Sequence, residues 1–203
     1  MSLNYDDIVK DTDAIVRTKS EVVKLPLTAE DEALLMDMLS YVRDSQDAEL
    51  AEANNLRPAV GIAAIQLGVA KRMLAVVVPN DEDIDEYALV NPRIISESVQ
   101  RAYLKNGEGC LSVEKEHEGI VPRAARITVK GYDLLQKQEI TIKAKNYLAI
   151  VLQHEIDHFS GTLFYDRINK QDPWREDPNA IVIESVSYTH LDVYKRQAYN
   201  RVR

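Results

Sequence analysis

Gln153-His154-Glu155-Ile156-Asp157-His158 sets two histidines four residues apart, with a glutamate directly after the first. On a helix, residues four apart share a face. Both imidazoles then reach one metal ion, and Glu155, roughly 60° around the helix from His158, reaches a water on that ion. The flanks predict the helix: Asn146 reads as its N-cap and Gly161 as its end. Between them Tyr147-Leu148-Ala149-Ile150-Val151-Leu152 is apolar on every side, the mark of a buried helix. Buried imidazoles and carboxylates need partners. A metal ion supplies them and turns Glu155 into a general base. The competing reading, a chance match on an exposed helix, fits the apolar surroundings poorly.

A catalytic site of this kind takes a third protein ligand and keeps one position open. A third histidine in the pattern H-E-x-x-H-x-x-G-x-x-H fails, because Gly161 fits but Phe164 stands where the histidine belongs. An acid from later in the chain is a second route, with Glu176 and Glu184 available, although Trp174 to Pro178 reads as a loop. The third route is Cys110, the one cysteine, in Gly107-Glu108-Gly109-Cys110-Leu111-Ser112-Val113. Glycines there let the backbone approach something closely. A lone cysteine forms no disulfide within its chain, so a thiolate ligand competes with the bland role of a small buried hydrophobe.

The 203 residues and net charge of −8 suit one acidic domain with a substantial core and argue against a nucleic-acid surface. No apolar run is long enough to span a membrane and the N-terminus carries no signal-peptide pattern, so no membrane partner is expected. One cysteine and no export signal point to a cytoplasmic location.

Residues 4 to 27 read as a short helix or loops. Thr28 caps a helix with Asp31 three residues on, and Leu34, Leu35, Met38, Leu39 and Val42 form its core stripe. In Ala59-Val60-Gly61-Ile62-Ala63-Ala64-Ile65-Gln66-Leu67-Gly68 the bland reading is a close-packed turn. The sharper one is a groove wall, with Gly61 exposing backbone and Gln66 an amide. Arg72 to Val78 reads as a strand, Asp81 to Glu86 as an acidic loop, and Tyr87 to Asn91 and Arg93 to Ser96 as two strands parted by Pro92. Arg126 to Tyr132 and Glu139 to Lys143 alternate and predict an antiparallel hairpin. The expected class is α+β, with short antiparallel strands packed around a central buried helix carrying H-E-x-x-H.

Gly61-Ile62-Ala63-Ala64-Ile65-Gln66, Glu108-Gly109-Cys110-Leu111-Ser112 and Gln153 to His158 together resemble, in order and spacing, the three motifs of the peptide deformylases. The resemblance runs from about Asp6 to Glu184, and the insertions around residues 45 to 57 and 79 to 88 are similar to the Gram-positive type. It implies a metal-dependent hydrolase that removes the formyl group from the N-terminal formylmethionine of newly made polypeptides, with those nascent chains, and by extension the ribosome, as partners. Residue by residue, it implies Cys110, His154 and His158 as ligands of one divalent metal ion, commonly Fe²⁺, with Zn²⁺, Ni²⁺ or Co²⁺ as alternatives. It makes Glu155 the proton acceptor and donor, and Gln66 and the Leu111 backbone N–H the oxyanion donors. Val60, Gly61 and Gly107 line the substrate groove, and Val151 helps form the methionine pocket. Glu108 pairs with Arg123 and braces the cysteine loop.

Two positions depart from the family pattern: Ala59 replaces a usual glycine, and Ile65 a frequent proline. Residues 1–185 are expected to form the catalytic domain, which in the resemblance ends soon after a strand at Ala180-Ile181-Val182-Ile183-Glu184. Residues 186–203, from Ser187-Tyr188-Thr189-His190 onward, resemble a translated adaptor and are read as a non-native tail. The rival for that tail is a basic segment, with Lys195, Arg196, Arg201 and Arg203, docking on ribosomal RNA. The rivals for the whole are a zincin-type metallopeptidase and a catalytically silent deformylase-like binding protein.

Overall fold

A computed structural model describes residues 3–80 and 83–184. In chain order it contains α1 (Ala29–Ser45), α2 (Ala48–Ala53), β1 (Gly61–Ala63), β2 (Met73–Pro79), β3 (Ile84–Glu97), β4 (Arg101–Leu104), β5 (Arg123–Ala124), β6 (Arg126–Asp133), β7 (Gln138–Lys145), α3 (Asn146–Asp157) and β8 (Ile181–Ile183). Short 3-10 turns link them. The boundary at residues 185 and 186, and the tail beyond it, lie outside the described residues.

Five strands in the order β1-β2-β3-β6-β7 make one antiparallel sheet. β2 is apolar throughout because both its faces are covered. Met73, Ala75 and Val77 pack in the cluster that holds Leu35, Met38, Leu39 and Val42 of α1. Leu74, Val76 and Val78 pack in the cluster that holds Ala149, Val151 and Leu152 of α3. A strand covered on two sides loses its polar alternation. β6, by contrast, alternates cleanly, and its hairpin with β7 closes through residues 134–137.

A second sheet, in the order β5-β4-β8, was not expected, apart from a strand near β8. Its β4–β8 pairing is parallel, so the strands are not all antiparallel. Three further expectations are corrected. The two strands parted by Pro92 are one, β3, which passes the proline through a register shift and a left-handed Asn91. That strand starts at Ile84, inside the stretch read as an acidic loop. Asn146 is not a side-chain cap: the cap position is Lys145, and Asn146 begins α3 at φ 53 with its N–H donating to Ala125 O.

α1 follows the sequence closely. Thr28 accepts the Asp31 N–H, satisfying one donor of the first turn. α3 packs against strands of both sheets. It ends at Asp157, and His158 opens the 3-10 turn His158–Ser160, which Gly161 terminates at φ 70. His158 keeps right-handed helical angles, so the four-residue spacing of the motif survives that change. No helix among the described residues is long and apolar enough to cross a membrane.

Candidate metal centre and cleft

Three segments meet at one cavity of about 620 Å³. β1 and the 3-10 turn after it bring Val60, Gly61 and Gln66; the loop after β4 brings Gly107 to Leu111; α3 brings Val151, His154 and Glu155. His158 lies behind this wall, 1% exposed. Every expected site residue except His158 lines the cavity. A larger cleft of about 1090 Å³, bounded by β7 and β8, contains none of them.

The ligand atoms of Cys110, His154 and His158 all lie within 4.8 Å of one another. Cys110 Sγ is 3.5 Å from His158 Nε2. His154 Nδ1 is 2.8 Å from Glu108 Oε2, which leaves its other ring nitrogen facing the cluster. Burial pushes the His154 pKa down, but Cys110 and Glu108 raise it well above the ordinary histidine value; the same negative surroundings favour a cation. Burial, reinforced by His154, holds His158 well below that value, hence neutral and able to bind metal. Glu176 and Glu184 are elsewhere: Glu176 hydrogen-bonds Tyr103, and Glu184 pairs with Lys105 at the surface.

Glu108 is one end of a buried chain of charge. Arg123 Nη2 donates to its Oε2 at 2.8 Å and Arg123 Nε to its Oε1. Arg123 Nη1 donates to Asp157 Oδ2 at 2.9 Å, and Arg167 grips the same Asp157 from outside. Glu108 and Arg123 side chains are 3% and 2% exposed. Burial works against the Glu108 carboxylate, yet Arg123 holds its pKa down to about 2. Asp157, between the two histidines of the motif, thus ties α3 to the loop bearing Cys110.

Glu155 has the opposite surroundings. Burial raises its pKa to about 7, and its Oε2 is buried without a hydrogen-bond partner among the described residues. A Cβ on Gly61 would stand 2.5 Å from Glu155 Oε1. Gly61 is therefore small because the carboxylate lies on it, a reason that the groove-wall reading did not supply. Gly107, by contrast, has φ 78, and a Cβ there would meet Gly119 O at 2.6 Å; Gly119 itself has φ 133. The two glycines close the neck of the Cys110 loop. Gly109 faces open space, so close backbone packing does not explain it.

Gln66 is 1% exposed and oriented by the backbone. Its Oε1 accepts the Ala63 N–H at 2.8 Å, so the amide donor must point the other way, 3.4 Å from Cys110 Sγ and 3.3 Å from Ser112 Oγ. Residues not singled out from the sequence also line the cavity, namely Arg57, Leu104, Tyr147 and Ile150. Tyr147 and Ile150 precede His154 by seven and four residues, on its helix face, so periodicity could have found them. Nothing in the sequence marks Arg57.

A family model described as polypeptide deformylase matches residues 5–174. Over 186 residues the chain is 47% identical to peptide deformylase 2 of Bacillus subtilis (strain 168), covering 90% of this chain and 99% of that protein. It is 49% identical over 180 residues to the peptide deformylase of Lacticaseibacillus casei (strain BL23), covering 88% and 97%. Among solved structures, the peptide deformylase from Ehrlichia chaffeensis is similar with a TM-score of 0.66 and 28% identity, covering 100% of both chains. A Met-Ala-Ser-bound class I type b peptide deformylase from Acinetobacter baumannii gives 0.65 at 29% identity, covering 83% of this chain and 100% of that one.

Proposed function

The chain belongs to the polypeptide deformylase family, metal-dependent hydrolases that take the N-formyl group from nascent peptides, and from that premise we propose how its residues divide the work. Cys110, His154 and His158 hold one divalent ion, and α3 is the helix around which the site is organised. The observation that carries this is the clustering of those three ligand atoms beside a buried carboxylate oxygen with no hydrogen-bond partner among the described residues. A buried acceptor left unpaired is costly, and a water held against Glu155 satisfies it.

An ion held by Cys110, His154 and His158 would supply Lewis-acid polarisation and a more acidic water at neutral pH. Glu155 would accept a proton from the attacking water and pass it to the leaving amine; a carboxylate near pKa 7 suits both transfers. The Gln66 amide, fixed by Ala63, and the Leu111 backbone N–H stabilise the oxyanion as it forms. Glu108 aims His154 through Nδ1. Val60, Gly61 and Gly107 border the peptide backbone. The methionine side chain lies on the apolar surface of Val151, with Tyr147, Ile150 and Leu104 beside it.

A mixed thiolate and imidazole set accepts several borderline ions. Fe²⁺ is the proposed native metal, with Zn²⁺, Ni²⁺ and Co²⁺ as substitutes, the cytoplasm the proposed location and the ribosome the proposed place of encounter. Release of a free amine from formyl-Met-Ala-Ser by protein purified without oxygen tests the reading, with metal analysis of the same sample. Hydrolysis by wild type but not by a chelated sample or by Cys110→Ala is expected. Hydrolysis by Cys110→Ala with its metal intact would remove the cysteine from the ligand set.

A further inference from the structure

A second cavity of about 330 Å³ opens beside the first, and Arg57 belongs to the walls of both. Arg57 is exposed, but it is held. Its N–H donates to Tyr41 Oη at 3.2 Å, and its Nη1 donates to Tyr5 Oη at 3.1 Å. Lys10 Nζ lies 3.4 Å from the Tyr5 ring centroid, buried and without a hydrogen-bond partner among the described residues. One phenol ring thus gathers two cations, of which Arg57 borders both cavities, in a chain of net charge −8.

Arg57 also differs from Arg17, Arg43, Arg123 and Arg167. Each of those is paired with a carboxylate, whereas Arg57 has none within ion-pair distance among the described residues. A guanidinium has five donors in a planar fork that matches a carboxylate. One of those donors is used on Tyr5. The second cavity is also lined by Glu114, Glu116 and Glu118, with Lys115 and His117 among them, so Arg57 is the cation on the side shared with the first cavity.

Building on the deformylase reading, we infer that Arg57 is a specificity-determining residue that favours an acidic side chain in the one or two residues following the formylmethionine. The pair forms at the mouth of a cleft, where exposed ion pairs are weak, so the preference is modest and screened by salt.

The test compares formyl-Met-Ala-Ser with peptides carrying Glu, Gln or Lys at the second or third position. In wild type the Glu peptide is expected to exceed the Lys peptide in kcat/KM by about two- to fivefold at one of those positions. The difference should lie in KM and shrink in about 0.5 M salt. Arg57→Ala should flatten the ratio, Arg57→Lys should keep part of it, and Arg57→Glu should invert it. Ratios within one variant cancel any loss of folded protein. A Glu-to-Lys ratio that is the same in wild type and Arg57→Glu overturns the assignment while leaving the deformylase reading intact. Absence of turnover on every formyl peptide in metal-loaded wild type overturns both.

Discussion

The two walls of the cleft each bury a carboxylate and treat it in opposite ways. On the loop wall, Glu108 is saturated by Arg123 and His154 and held at about pKa 2. On the helix wall, Glu155 is equally enclosed, but one oxygen has no partner among the described residues and its pKa rises to about 7. Burial alone raises both; a guanidinium beside one of them reverses the outcome. In the proposed mechanism two acids driven apart in this way divide labour, a fixed charge that holds geometry and a titrating one that moves protons. Cavity size carries no such information, since the larger cleft at β7 and β8 brings none of the expected site residues together.

The sharpest way to break this contrast is Glu155→Gln. The amide keeps the shape and cannot accept a proton. Turnover of formyl-Met-Ala-Ser should fall about 10²- to 10⁴-fold while bound metal, measured by elemental analysis, is retained. Loss of the metal would instead make Glu155 a ligand.

On the other wall, Arg123→Ala leaves Glu108 buried without its cation and Asp157 with Arg167 alone. Unfolding free energy should drop by about 3–5 kcal/mol, with metal content falling alongside it. An unchanged denaturation midpoint and unchanged metal content would strip this network of its bracing role.

A glycine on each wall gives the next comparison. Gly61→Ala drives a methyl into Glu155, and overpacking of this kind costs about 1–3 kcal/mol. It should appear as lost turnover with metal retained. Gly109→Ala adds its methyl to open space, and stability should stay within about 0.5 kcal/mol of wild type. If the two variants melt and turn over alike, close approach to Glu155 is not why residue 61 is glycine.

A smaller effect than at Arg123 is expected at Arg167, which shares Asp157 with it but is 45% exposed. Arg167→Ala should cost no more than about 1 kcal/mol in chemical denaturation. A loss equal to that of Arg123→Ala would mean that burial does not set the worth of these pairs.

Much of the site could be read from residue types at fixed spacing. His154, Glu155 and His158 announce themselves because four residues is a helical repeat, and the β6–β7 hairpin because its outer face is wet. What escaped notice has physical reasons. β4 and β5 span four and two residues, too short for any period to register. β3 runs through Pro92 because the bulge there needs no N–H from it, whereas a proline in sequence reads as a break. Gly61 was legible as a glycine but not for its cause, since the carboxylate beside it arrives from 94 positions further along. The orientation of Gln66 depends on one backbone N–H three residues before it, a contact that only the 3-10 turn creates.

The neck formed by Gly107 and Gly119 makes residues 108–118 a cassette. Its two ends are locked back to back, the Glu108 end is riveted to Arg123 and His154, and Ser112 O is tied to the Asp11 N–H at 2.8 Å. The cysteine sits between those anchors, while Glu114 to Glu118 bow along the second cavity, pinned where His117 stacks on Tyr165 and meets the edge of Phe164. The chain thereby separates what must not vary from what can. Substitutions at the exposed Glu114, Lys115, Glu116 and Glu118 are expected to leave the sulfur where it is, which makes them the positions of this loop that an engineer would rewrite first.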